Sequence, residues 1–227
     1  MAIVVNSNIA SLNAQRNLNR SQGDLNTSLQ RLSSGLRVNS AKDDAAGLYT
    51  AQRMSADIRG SNQAARNALD GISLSQVAEG ALSEISNNLQ RIREIAVQSA
   101  SGTVEDRDGL DAERLQLEST NDDIIADTKF NGVSLLTGGD EIQIQTGADS
   151  GQVVTFDAGN LSLVAADVSS SGGADTALGT VDTDIDAVST LRATFGSVQN
   201  RFESVISNLQ SYSENTSAAR SRILDAD

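Results

Sequence analysis

Carboxylates are the side chains here with the most chemical potential, and two groups stand close together: Asp43-Asp44 and the run DTDID at 182–186. Paired carboxylates can act as acid and base on a glycosidic bond, and an Asp-x-Asp-x-Asp run can open a calcium loop. Neither pattern is completed. The calcium loop would need Gly and Glu where the chain has Ala187 and Ala193. An acidic helix start, with negative charge set against the helix dipole, accounts for both clusters more simply.

Other chemistry is removed by absence. The chain has no Cys and no His, and Lys42 and Lys129 are its two lysines. A Cys–His or Ser–His–Asp nucleophile, the common zinc sites, a haem histidine and disulfides are therefore excluded. Nor is there a Gly-rich phosphate loop carrying its lysine. The expectation is a protein that is not an enzyme and has no cofactor, metal or catalytic residue. In LQRIREIAVQ, residues 89–98, Arg91, Arg93 and Glu94 beside an aliphatic stripe read first as a solvated helix face with local ion pairs.

A formal net charge of −13 and a pI near 4.3 speak against nucleic acid and anionic membranes as partners. No apolar run approaches the ~20 residues that span a bilayer, and MAIVVNSNIA lacks the basic start of a secretory signal.

The elements that position these side chains are mostly helical. With four Phe, two Tyr and no Trp, a core must come from Leu, Ile, Val and Ala, and no Pro interrupts the chain. From Val5 onward, Leu18, Leu25, Leu29, Leu32 and Leu36 form one narrow stripe that needs another helix to bury it. Gly35 suits a helix C-terminus. Asn39 or Ser40, with Asp43 three residues after Ser40, suits the start of a second helix from about Ala41 to about Ala100. Gly60 and Gly71 inside it mark breaks or close approaches.

A third helix is expected at about 110–127, then a turn at Asn131-Gly132 and hairpins from Ile142/Ile144, Val154/Phe156 and Leu161/Leu163. Residues 169–179, SSSGGADTALG, read as a flexible link. Val188, Leu191, Phe195, Val198, Phe202, Val205, Leu209 and Tyr212 follow in strict 3-4 spacing, the pattern of a coiled-coil rod about 60 Å long from Thr183 to Leu224. The predicted class is mainly α, long coiled-coil-like helices forming a rod with a small β-hairpin region at one end. Both stripes are expected to find burial against other rods.

MAIVVNSNIASLNAQRNLNRSQGDL, RLSSGLRVNSAKDDAAGL, LQRIREIAVQSA, TKFNGVSLL and SENTSAARSRILDAD, in this order and spacing, resemble bacterial flagellin over nearly the whole chain. The resemblance implies a secreted structural subunit that self-assembles into the extracellular filament used for motility. Its implied partners are other subunits, the flagellar type III export apparatus, filament cap and junction proteins, and an export chaperone. It implies an inner helix at 1–38, rod helices with hairpin and link at 39–179, and a returning rod helix at 180–227. Residues 130–179 leave no room for large outer domains.

The chain ends at Asp227, where the family continues with a further apolar helix, so the expectation is a form lacking the C-terminal helix, on which assembly and chaperone binding depend. The resemblance also implies recognition by an animal Toll-like receptor through Arg91, Ile95 and Glu113, although Asp123 stands where relatives often carry Arg. Two alternatives stay open: a secreted junction-like protein acting as a monomer, and an enzyme relying on hydroxyls and carboxylates alone.

Overall fold

Local signals set the first helix. In the computed structural model, which describes residues 8–103, 105–138 and 141–227, α1 spans Ile9–Ser34. Val5, expected to begin the first stripe, lies outside the described residues. Asn8 Oδ1 accepts from Ser11 N at 3.0 Å, capping the start. At the other end Gly35 adopts φ 68°, and its N–H reaches the Arg31 carbonyl at 2.8 Å. That left-handed conformation is strained for any residue with a Cβ.

The second helix starts one step later than the spacing predicts. Asp43 accepts from Ser40 N (2.9 Å), the Ser40 hydroxyl (3.0 Å) and Asn39 N (3.2 Å), which closes a turn instead of opening a helix. These bonds, those from Ser40 foremost, hold the Asp43 carboxyl below its ordinary range. Asp44 then caps α2, Ala45–Ala100, by accepting from Gly47 N at 2.8 Å. The helix continues through both of its suspect glycines. A Cβ on Gly60 would meet the Ala148 Cβ at 2.7 Å, and one on Gly71 would meet the Phe202 ring at 2.7 Å. They are close approaches, not breaks.

Arg107 fastens the turn after α2, donating to the carbonyls of Ser99 (3.0 Å) and Ser101 (3.2 Å) that the helix end leaves unpaired. Next comes α3, Asp108–Asp127, and then β1, Lys129–Phe130, paired antiparallel with β2, Val133–Ser134. Asn131 (φ 50°) and Gly132 (φ 82°) supply the positive φ values of a two-residue hairpin turn. A second antiparallel pair joins β3, Glu141–Gln145, to β4, Val153–Asp157, with Ile142 opposite Phe156 and Ile144 opposite Val154.

Two expectations fail beyond β4. Leu161 and Leu163 form no strand: Leu161 N bonds the Leu136 carbonyl (3.0 Å), and just beyond them the backbone turns to carboxylates, Val164 N to Asp184 Oδ2 (3.1 Å) and Ala166 N to Glu118 Oε1 (2.8 Å). The segment at 169–179 is not a flexible link, because α4 spans Ser171–Leu224. Ser170 caps it through its hydroxyl to Gly173 N, and Ala174 and Ala177 are buried. Burial of two alanines and the cap outweigh the helix penalty of Gly172 and Gly173, about 1 kcal/mol each.

Contacts divide the described residues into two units. One holds those up to Arg59 together with Ser211–Asp227, and the other is Gly60–Gln210. The second unit contains the main core, in which Leu82, Ile85, Ile92 and Ile95 of α2 are buried with Leu135, Leu136, Val168 and the apolar positions of α4. Phe156 of β4 meets Phe195 and Phe202 edge to face, with ring centroids 6.3 and 6.2 Å away. The expectation that the 188–212 stripe waits for other molecules is thereby corrected. Val188, Phe195, Val198 and Phe202 are buried by the chain itself, Leu191, Val205 and Leu209 are half-buried, and Tyr212 is exposed. The hairpin that covers this stripe is distant in sequence and left no mark on its periodicity.

Candidate assembly surface

In the first unit, α1 contains no buried residue along its 26 positions. Its large apolar residues Ile9, Leu12, Leu18, Leu25, Leu29 and Leu32 are all exposed, Leu32 to 80%. Positions 18, 25, 29 and 32 recur at steps of seven, four and three, placing them along one face. Leu36, the last member of the expected seam, is half-buried and leaves the helix to form a bridge with Asp225.

Residues 35–38 take a role that spacing did not foretell. The N–H groups of Arg37 and Val38 donate to the Leu224 carbonyl at 2.6 and 3.3 Å, the Arg37 guanidinium donates to the Ile223 carbonyl at 2.7 Å, and Ala226 N returns a bond to the Gly35 carbonyl at 3.0 Å. The last carbonyls of α4, which no helical turn can pair, are thus satisfied by the break after α1. Val38 is buried there, and Arg220 Nη1 reaches Ser55 Oγ at 3.2 Å. Neither end of this pairing has a local signature that could have revealed the other.

The three residues singled out for receptor contact separate. Arg91 and Glu113 are exposed and joined at 2.8 Å, and Arg91 also holds Glu94 at 2.9 Å. These bonds, led by that to Glu113, raise the Arg91 pKa above its ordinary value. Ile95 is 1% exposed and belongs to the core, one turn along α2 from Arg91.

The carboxylate clusters dissolve into structural partners. Asp182 pairs with Arg93 at 2.7 Å, and Asp184 is buried and holds Val164 N. Among the described residues no group of three or more acidic side chains is arranged to hold a metal ion. A buried guanidinium was missed: Arg114 pairs with Asp111 at 2.7 Å and Glu118 at 2.6 Å. Burial lowers its pKa and the two carboxylates more than restore it. Its spacing, acids three before and four after, was readable as a helical ion-pair pattern.

What this architecture defines is a predominantly helical structural protein with one amphipathic helix that the described residues leave uncovered. Comparison with known families matches residues 5–140 to the bacterial flagellin N-terminal helical region and residues 178–227 to the bacterial flagellin C-terminal helical region. The flagellin of Halalkalibacterium halodurans is 42% identical over 235 aligned positions, covering 99% of this chain and 86% of that protein. The flagellin of Salmonella muenchen is 53% identical over 159 positions, covering 69% of this chain and 32% of that one. The crystal structure of Bacillus cereus flagellin superposes with a TM-score of 0.58 at 36% identity, over 68% of this chain and 94% of that chain.

The chain belongs to the bacterial flagellin family, a family of structural proteins and not of enzymes. One expectation is overturned by these matches. The C-terminal helical region is present, at 178–227, within and just beyond α4. The expectation placed it past Asp227 as a further apolar helix, whereas the matched region is 178–227 itself.

Proposed function

We propose that this chain is a structural subunit of the extracellular bacterial flagellar filament, and that copies associate in part through the apolar face of α1. The observation that carries the proposal is that face itself: Leu18, Leu25, Leu29 and Leu32 lie along one side of α1, none of them buried. Burying a leucine stabilises by about 1.5–3 kcal/mol, so a row of them supplies a strong reason to associate. Export through the flagellar type III apparatus and engagement of cap and junction proteins belong to the same reading.

The test is polymerisation of wild type and of Leu18→Ser, Leu25→Ser and Leu29→Ser, followed by sedimentation and electron microscopy. About 1.4 kcal/mol is tenfold in an equilibrium constant, so each substitution is expected to raise the critical concentration tenfold or more. Filaments forming at an unchanged concentration would refute the role of this face.

The exposed Arg91–Glu113 pair supports recognition by the flagellin-sensing Toll-like receptor, with Ile95 in the core one turn along α2. Arg91→Ala and Glu113→Ala should weaken receptor signalling while leaving the melting temperature nearly unchanged, because exposed ion pairs contribute about 0–1 kcal/mol. Ile95→Ala should instead destabilise the fold by about 2–5 kcal/mol. Full signalling by both charge variants would remove this reading.

A further inference from the structure

A cavity of about 90 Å³ lies in the second unit beneath residues 163–166, walled by Leu89, Ile92 and Val181 and edged by Glu118, Asn121 and Asp184. Asn121 is fully buried, and its Oδ1 accepts from Asn88 Nδ2 at 2.8 Å. In this orientation of the amide, Asn121 Nδ2 is without a partner among the described residues. A buried donor in that condition costs about 1–3 kcal/mol, so an acceptor is called for. Asp184, 4% exposed, lines the same cavity and offers acceptor capacity. Its Oδ2 takes Val164 N at 3.1 Å, and its second oxygen can accept one donor more.

We propose that this cavity binds a hydroxyl oxygen, which accepts from Asn121 Nδ2 and donates to Asp184. A group that is acceptor and donor at once satisfies Asn121 and uses the spare acceptor capacity of Asp184. A cation offers no lone pair to Asn121, and an anion would sit against Asp184 and Glu118. The cavity exceeds the roughly 10–15 Å³ that one water needs and falls short of the roughly 150 Å³ cavity that takes benzene. Two sources of the hydroxyl fit it: internal water, and an alcohol whose short aliphatic tail lies on Leu89, Ile92 and Val181. Burial and the nearby Glu118 charge raise the Asp184 pKa against the lowering effect of the Val164 bond, in keeping with a carboxylate that gains from a further donor.

The test uses the full chain, as a high-resolution crystal structure with and without a 2-propanol soak, and in solution by following the Asn121 side-chain amide resonance. The expected result is an oxygen about 2.7–3.2 Å from Asn121 Nδ2 and from Asp184. A cross-peak from that amide to water in buffer identifies water as the source. A saturable shift on titration with 2-propanol identifies the alcohol. Asp184→Ala should abolish the alcohol shift while the Asn121 amide remains observable. Refutation would be an Asn121 Nδ2 bonded to a protein acceptor, or no oxygen within reach and no solution response to either probe.

Discussion

Gly71→Ala puts the packing of the second unit under a direct test. In an exposed helical position Gly→Ala stabilises by about 0.5–1 kcal/mol, since alanine loses less backbone freedom on folding. At Gly71 the new methyl would lie 2.7 Å from the Cε2 and Cζ atoms of Phe202. That ring cannot swing away, because it is fully buried and packed edge to face on Phe156. Overpacking a core costs about 1–3 kcal/mol, which exceeds the propensity gain and leaves a net loss of about 1 kcal/mol.

Gly80 lies in the same helix with nothing within 4 Å of its would-be Cβ, so Gly80→Ala should realise the gain alone. The two variants should therefore differ in sign and by about 2 kcal/mol, or roughly 4–8 °C in melting temperature for a chain of this size. Urea denaturation and thermal melts of both proteins provide the measurement. Adding Phe202→Leu to Gly71→Ala should cost less than the sum of the separate changes, since the smaller side chain relieves the clash. A Gly71→Ala protein as stable as Gly80→Ala would refute the close approach of α2 and Phe202.

Arg114→Ala leaves Glu118 without its guanidinium and should destabilise by about 3–5 kcal/mol, read as a lowered urea midpoint, whereas exposed Arg93→Ala should cost about 0–1 kcal/mol. The raised pKa of Asp184 means that folding favours its protonated form. Its favourable contribution is thus complete at acid pH and lost as pH rises through its folded pKa, which lies above the ordinary 3.8. Asp184→Asn, which keeps an acceptor for Val164 N, should accordingly stabilise at pH 7, with the advantage shrinking as the pH falls below the carboxylate range. Asp43, Asp167 and Asp182 have lowered pKa values and act in the reverse sense, adding stability above the ordinary value that acid removes. Gly35→Ala should destabilise the α1 terminus by about 1–2 kcal/mol, through the strain of its positive φ, seen as faster amide exchange in the last turn of α1.

What could be known from residue order alone was whatever depends on near neighbours. The stop at Gly35, the turn at Asn131-Gly132, the strand alternation of Ile142/Ile144 and Val154/Phe156 and the apolar periods of α1 and α4 all follow from backbone sterics and helix or strand repeats within a few residues. The family motifs were legible for the same reason, as continuous strings.

Tertiary structure decided everything that turns on a distant partner. Two stripes of similar period met opposite fates: that of α4 is covered by β4 and α2, while that of α1 stays open among the described residues, and periodicity says that a face is apolar without saying what lies on it. Ile95 could not be told from a surface contact until the core closed over it, nor the 169–179 segment from a linker until Ala174 and Ala177 were buried. Asp184 and Glu118, which look like ordinary acidic surface residues in sequence, turn out to hold an extended segment in place of a strand. A buried group is defined by what surrounds it, and those surroundings come from parts of the chain that no local window contains.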